Sequence, residues 1–531
     1  MENEVTRFFT RGCIVTVVVV RLLFVLTYPL NDFGGDASNY RNMLLHGQSS
    51  LVHAGGYPFL IGLPFRAEGF YLWLGNALPY VLLILQHAID GIALIVLYRI
   101  SLHIYGLVGA GVTVLLAGLN LQSLACTSAT YPEWLQSDLL VFSLSASYFA
   151  YRHEEFRAKR LLYGVAAFAF TWCVLVKFNV AVLGWFLILA IALEQLNLKR
   201  KLVLAGTCAL VAVATVVPYL RFYQYSTTGT YKLTYDTAWV LLSRVQFAFG
   251  NTLDPNAGLN TRRWLALSSV LPRSYEFAGP VLFSRVDAIP PQVRAPYRAR
   301  YGYLVNAESD VVNRVLASKG LPDGFQVGLS AIPVAYYLGL PESDLGARAA
   351  IEAVRARPAA FASVVVKEVG QTMSGWGGDA LFANEAKMAT FGLTPTYRGR
   401  LGFVWMAQRA AYSSVPYSFS VPIFWAPGVR LFTILNSYAL PACWPSLALG
   451  FAVLAAAGRI AIHRRIDLQS TVTLLLALLT IMMIVVSIVT LAFRWKEWRL
   501  VLPLVCLLGG AAANGISTIA SFARIKYLGE R

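Results

Sequence analysis

Charge is scarce in this sequence. Aspartate, glutamate, lysine and arginine together make up 13% of the chain, while 57% of its residues are hydrophobic. A soluble domain carries about 25% charged residues, so an ordinary set of water-soluble domains is excluded. Acid is the scarcer sign, with 27 acidic against 44 basic residues and a net charge of +17. A nucleic-acid binder gathers such an excess on a soluble face. Here many basic residues stand at the ends of apolar runs, so membrane topology explains much of the charge and no nucleic-acid partner is needed. Cysteine is sparse too. Cys13, Cys126, Cys173, Cys208, Cys443 and Cys506 each lie in or beside an apolar run and none forms a CxxC pair, which leaves small buried hydrophobes. No Asn-x-Ser/Thr sequon occurs, which favours a bacterial source. There is no P-loop, no GxGxxG after a strand, no HExxH, no GxSxG, no internal repeat and no low-complexity tract.

What the chain does have is long apolar runs. They fall at roughly 13–30, 77–98, 106–125, 135–151, 161–176, 180–196, 202–220, 431–456, 469–492 and 500–520. About 20 apolar residues cross a bilayer, and spanning segments must be helices or closed barrels. Continuous rather than alternating runs point to helices. The expected fold class is therefore an α-helical polytopic membrane protein with about ten transmembrane helices. The first run lacks a small-residue cleavage site and reads as an uncleaved helix rather than a signal peptide. Ten crossings put both termini on one side. Sixteen short-loop lysines and arginines then share that side, against six on the other: Arg41, Arg66, Lys177, Arg494, Lys496 and Arg499. The positive-inside bias sets both termini in the cytoplasm of a multi-pass bacterial inner membrane.

The domain expectation follows. Residues 1–220 form an N-terminal module of seven helices with a first periplasmic loop at 31–76, and 431–531 form a C-terminal module of three. Residues 221–430 have no comparable run and read as a mixed extracytoplasmic domain. Within it, 344–367 reads as a helix pair broken at Pro358, and 361–373 is apolar on one side, as a helix lying along a membrane surface would be. Aromatics near 400–430, such as Trp405 and Trp425, suit an interface before a membrane helix.

Chemistry is best sought in the first loop, Asn31-Asp32-Phe33-Gly34-Gly35-Asp36-Ala37-Ser38-Asn39-Tyr40, with Gly47 and then His53-Ala54-Gly55-Gly56-Tyr57-Pro58 further on. A glycine pair lets the backbone turn sharply before Asp36. From spacing alone, a helix-capping role for Asp36 is the simpler account. The pattern Asp36-x-x-x-Tyr40, Gly47, Gly56-Tyr57-Pro58 resembles, however, the first periplasmic loop of GT-C superfamily glycosyltransferases, of the bacterial protein O-mannosyltransferase and lipid A aminoarabinose or galacturonosyl transferase type. Three other stretches resemble that family in the same order: Tyr131-Pro132-Glu133-Trp134-Leu135-Gln136-Ser137-Asp138, Val176-Lys177-Phe178-Asn179, and Glu497-Trp498-Arg499 with Pro503. The resemblance implies that Asp36 is the catalytic or acceptor-orienting carboxylate, with Tyr40 and Tyr57 in the same loop pattern. The adjacent Asp-Glu pair of true protein mannosyltransferases is absent, which argues against a protein acceptor. The resemblance covers the membrane part and says little about 221–430.

Such an enzyme would move a sugar from a polyprenyl-phosphate donor to a lipid, glycan or other cell-envelope acceptor on the periplasmic side. Asp36 would serve as base, or as orienting group for an anionic acceptor. Lys177, Arg494 and Arg499 would hold the phosphate, arginine by its bidentate fork. Each arginine equally fits snorkelling to the interface. Lys177 sits in a three-residue turn between apolar segments, where a specific partner is expected. Glu133 suits pairing with a basic residue, metal binding or a helix start. His46 and His53 flank the loop and are candidates to line an acceptor site, although ordinary loop histidines are the simpler account. No tightly bound cofactor or protein-only metal site is expected. A divalent cation bridging carboxylate and phosphate stays open, with Asp36 and Glu133 as its candidate ligands. The expected partners are thus the lipid-linked donor, the acceptor and membrane lipids. The alternatives are a transporter or flippase for a lipid-linked saccharide, or a non-catalytic envelope-assembly protein. Against transport, the sequence shows neither paired halves nor broken helices, and its intramembrane charges are few: Arg21, Asp90 and Glu194.

Overall fold

Helix forms wherever the apolar runs are described. The structure is a computed structural model, and it describes residues 2–27, 40, 43–44, 55–66, 74, 77–120, 123–124, 127, 132–228, 231, 241–242, 245, 249, 253–268, 291–301, 345–373, 444–465, 467–490 and 502–529. Among the described residues there is no strand. The helices in chain order are α1 (Glu2–Thr27), α2 (Gly56–Arg66), α3 (Leu78–Gly118), α4 (Glu133–Arg152), α5 (Phe156–Val176), α6 (Trp185–Leu193), α7 (Leu198–Pro218), α8 (Leu259–Ser268), α9 (Pro291–Tyr301), α10 (Leu345–Ala356), α11 (Pro358–Met373), α12 (Trp444–His463), α13 (Leu468–Thr490) and α14 (Leu502–Gly529). Among the described residues, five stretches are long and apolar enough to cross a membrane: Tyr80–Gly118, Phe156–Val176, Leu198–Thr227, Trp444–His463 and Leu468–Val489. Their outer faces carry large apolar side chains in the open, such as Leu202 at 63%, Leu210 at 67% and Phe222 at 78% exposure. Water tolerates no such continuous face, and a lipid environment requires one. This is a helical membrane protein.

The long helix α3 is two helices. Gly106 interrupts it with φ 71° and ψ −171°, a conformation essentially confined to glycine. The Ser101 and Thr113 hydroxyls lie 2.8 Å apart across this point, whereas twelve residues of straight helix would separate them by about 18 Å. The chain therefore turns back on itself at one residue, where the sequence suggests a loop over 99–105. Two further interruptions correct the expectation of unbroken helices. Residues Phe178–Gly184 form a 3-10 helix leading into α6, and Tyr219–Gln224 form a π-helix after Pro218. The 3-10 turn has the longer rise, so that segment and α6 together reach about 27 Å, close to the thickness of a hydrocarbon core.

A central core joins α3, α4, α5, α6, α12, α13 and α14, with Leu140, Leu183, Met483 and Leu504 fully buried in it. A second, smaller core lies in the middle of the chain, where Trp264 and Leu265 of α8 meet Leu345, Ala349 and Ala353 of α10. Glu352 of α10 closes the N-terminus of α8. Its Oε2 accepts from the Thr261 amide (2.8 Å) and its Oε1 from the Asn260 side chain (2.6 Å), which serves amide groups that a helix start leaves without partners. Burial raises the Glu352 carboxyl, but these hydrogen bonds outweigh burial and hold it below its usual value. The helix pair expected around Pro358 is present as α10 and α11. On α11, Val365, Val369 and Met373 pack on the central core, Ser446 of α12 donates to the Met373 carbonyl, and Val366 stays 69% exposed.

Candidate functional site

Four of the sequence candidates converge at one end of the bundle, where α4 begins and α5 ends. Glu133 opens α4 directly after Pro132, an acidic residue in the first turn where the helix dipole favours it. Lys177 caps α5 in an extended conformation, its amide donating to the Cys173 carbonyl (3.0 Å). The antiparallel packing of these helices brings Lys177 Nζ onto Glu133 Oε1 as an ion pair. The glutamate side chain is 5% exposed and the lysine 23%, so the cation is the member of the pair that reaches outward.

The first-loop helix α2 is pressed against the end of α5 that leads into Lys177. Gly56 sits so close to the α5 backbone that a Cβ there would lie 2.4 Å from the Leu175 carbonyl carbon, and no backbone atom can swing away from such a contact. Tyr57 is fully buried and donates to Gln86 Oε1 (2.7 Å), and Gln86 Nε2 donates to the Thr127 carbonyl (2.7 Å). The Tyr57 ring stands edge-on to Tyr40 (5.9 Å) and to Trp134 (6.0 Å). On the other side of α2, Phe59 stacks on Trp172 (5.5 Å) and meets Tyr219 and Tyr223 of the π-helix at 5.7 and 5.0 Å. Each such aromatic pair contributes about 0.5–1.5 kcal/mol beyond its buried area, so the loop segment is clamped between α5 and the π-helix that follows α7. Gly56→Ala will push α2 off the α5 terminus. We expect a lower unfolding temperature together with loss of Lys177 protection from amine-reactive labelling; unchanged labelling would show that the close approach has no bearing on Lys177.

Tyr40, Tyr57, Glu133 and Lys177 thus belong to one neighbourhood. Within it Tyr57 holds the loop in place through Gln86. Asp36, His53, Arg494 and Arg499 lie outside the described residues. Among the described residues no three His, Cys, Asp or Glu side chains group as a metal site. Of the two candidate metal ligands, Glu133 faces Lys177 and Asp36 is outside the described set.

Two sets of residues take on contacts that the sequence reading, which named most of them only as motif members or isolated membrane charges, did not assign. Gln86, Trp134 and Gly56 build the site's frame; the signal was present in Gln86, His87 and Asp90, polar residues inside an apolar run. Deeper in the bundle, Arg21 of α1 pairs with Asp90 of α3, its Nε donates to the Gly118 carbonyl (3.2 Å), and the charge of Asp138 of α4 faces it. All three are less than a tenth exposed.

No family model matches the chain, and no curated protein matches it. Among solved structures it is similar to the archaeal oligosaccharyltransferase AglB from Archaeoglobus fulgidus, determined in complex with an inhibitory peptide and a dolichol-phosphate, with a TM-score of 0.29 and 14% sequence identity. The match covers 84% of this chain and 58% of that one, so the chain spans little more than half of that protein's length. A likeness of this degree fixes neither fold nor function.

Proposed function

We propose that this protein is an integral membrane glycosyltransferase that moves a sugar from a polyprenyl-phosphate donor to a lipid, glycan or other cell-envelope acceptor. The observation that carries this reading is the Glu133–Lys177 pair where α4 begins and α5 ends, with the Gly56-Tyr57 segment packed beside it on Leu175 of α5 and Trp134 of α4. Two stretches on which the GT-C resemblance rests, far apart in sequence, meet a third there. In this reading Asp36 is the base or orienting carboxylate. Lys177, with Arg494 and Arg499, holds the donor phosphate; Glu133 keeps Lys177 in place until the phosphate arrives. Tyr40 and His53 line the acceptor side, and a divalent cation would bridge Asp36 or Glu133 to phosphate if one is used. Ten crossings, cytoplasmic termini in a bacterial inner membrane and an extracytoplasmic 221–430 belong to the same proposal, supported by the sixteen-to-six basic asymmetry.

Asp36→Asn tests it. Carboxylate and amide are nearly the same size, so folding should survive. In native membranes supplied with polyprenyl-phosphate sugars, transfer should fall by about 10²-fold or more, the scale of general-base catalysis, at unchanged expression. Full activity in the variant removes Asp36 from the site, and no transfer by the unmodified protein from any lipid-linked donor removes the enzyme reading. A transporter is the competing reading, favoured by the buried Arg21, Asp90 and Asp138, since intramembrane charge often marks a transport path. The Arg21–Asp90 ion pair, with Asp138 within electrostatic reach on a third helix, suits a fixed tie better.

A further inference from the structure

A cavity of about 90 Å³ lies between α12, α13 and α14, away from the site above. It holds several waters, or one group the size of a phosphoglycerol, at 10–15 Å³ per water. Its inner wall is made of small apolar residues such as Ala456 and Ala511, and its polar groups include Ser470 and Asn514. At its rim stand Arg459 and the exposed His463. Two observations mark it as more than a packing gap. Ser470 is 1% exposed, lines the cavity and donates its amide to Asp467 Oδ1 (2.9 Å), while its Oγ meets the hydrogen-bond geometry with no partner among the described residues. Arg459 bonds Asp467 through Nε alone among the described residues, so both terminal amino groups of its fork stay available. Burial raises the Asp467 carboxyl, but Ser470 and Arg459 outweigh it and keep it at about 2, so this one anion at the site is balanced by Arg459. His463, Arg464 and Arg465 add basic groups on the same turn. The geometry is a small, mostly apolar pocket between membrane helices with a basic rim.

We infer that this pocket binds the phosphoglycerol head of an anionic phospholipid. The phosphate would meet the Arg459 fork and His463, the glycerol hydroxyls Ser470 and Asn514, and the start of the acyl chains the alanine wall. Basic pockets between membrane helices on the cytoplasmic side take such headgroups, and the topology proposed above puts this turn in the cytoplasm. The inference does not depend on sugar transfer.

The test is native mass spectrometry of the full-length protein, delipidated in detergent and then offered phosphatidylglycerol, phosphatidylcholine or inorganic phosphate. Phosphatidylglycerol should be retained at least about tenfold over phosphatidylcholine, as expected for charge-assisted hydrogen bonds. Asn514→Leu, which fills the cavity, and Ser470→Val, which removes the hydroxyl at nearly constant size, should each abolish that preference; unfolding temperature without lipid checks that each variant folds. Equal retention of both lipids overturns the inference, as does a folded filling variant that keeps the preference. Inorganic phosphate binding as tightly as phosphatidylglycerol would make the occupant a free phosphate and overturn it equally.

Discussion

Lys177→Met will lower sugar transfer by about 10²-fold or more, the scale on which single charge-stabilising groups act in active sites. It will also destabilise the protein, because Glu133 is then left buried at 5% exposure without its partner. Breaking a buried ion pair on one side costs about 3–5 kcal/mol, so loss of activity in this variant alone would say little. The informative variant is the double one, Lys177→Met with Glu133→Gln. Removing both charges leaves a neutral amide beside a thioether of similar length, and replacement of a whole buried pair is often neutral. The double variant should therefore recover its unfolding temperature while transfer stays low. Recovery of transfer would make the pair a structural tie and take Lys177 out of phosphate binding. The same logic predicts that Lys177→Arg, which keeps the charge, retains part of the activity. A clean split between stability and transfer is possible here because Lys177 is the exposed member of the pair, at 23%.

The sequence was most informative where the physics is local. The apolar runs carry helix wherever they are described, because twenty apolar residues in a row leave few other folds. Pro358 divides α10 from α11 as expected, since proline is accepted at the first position of a helix and not inside one. The reversal between the runs at 77–98 and 106–125 was legible but its tightness was not: a lone glycine in an apolar stretch looks like any other, and the Gly106 dihedrals with the Ser101–Thr113 contact across it reveal a turn made at one residue. Pairings between distant residues were legible only in kind. A partner for Lys177 was expected from its confinement between two apolar segments, and Glu133 supplies it from 44 residues away. Lys159 is one of the sixteen basic residues that the sequence places in short loops on the cytoplasmic side, and Glu194 is one of its few intramembrane charges. The structure joins them at 2.6 Å, with Tyr163 donating to the same carboxylate (3.0 Å). No periodicity encodes such pairs, because they depend on which helices become neighbours.

Arg21 offers the sharpest test of that last point. It joins α1 to both arms of α3, through Asp90 in one and the Gly118 carbonyl in the other, and faces Asp138 of α4. Arg21→Met strands two carboxylates in an apolar interior. A single charge at the centre of a membrane helix already costs about 2.5–3.5 kcal/mol on insertion scales, and a broken buried pair about 3–5 kcal/mol. Little folded protein should then survive detergent extraction. The triple variant Arg21→Met, Asp90→Leu, Asp138→Leu removes every charge together and should extract and elute as the unmodified protein does. If it folds and still transfers sugar, the cluster is a tie between helices and transport loses its best support. If it folds but has lost activity while Glu133 and Lys177 are intact, these charges serve function rather than assembly. Failure of the triple variant to fold, with the single variant stable, would contradict the energetic account itself, since it would mean that the arginine is dispensable and its carboxylate partners are not.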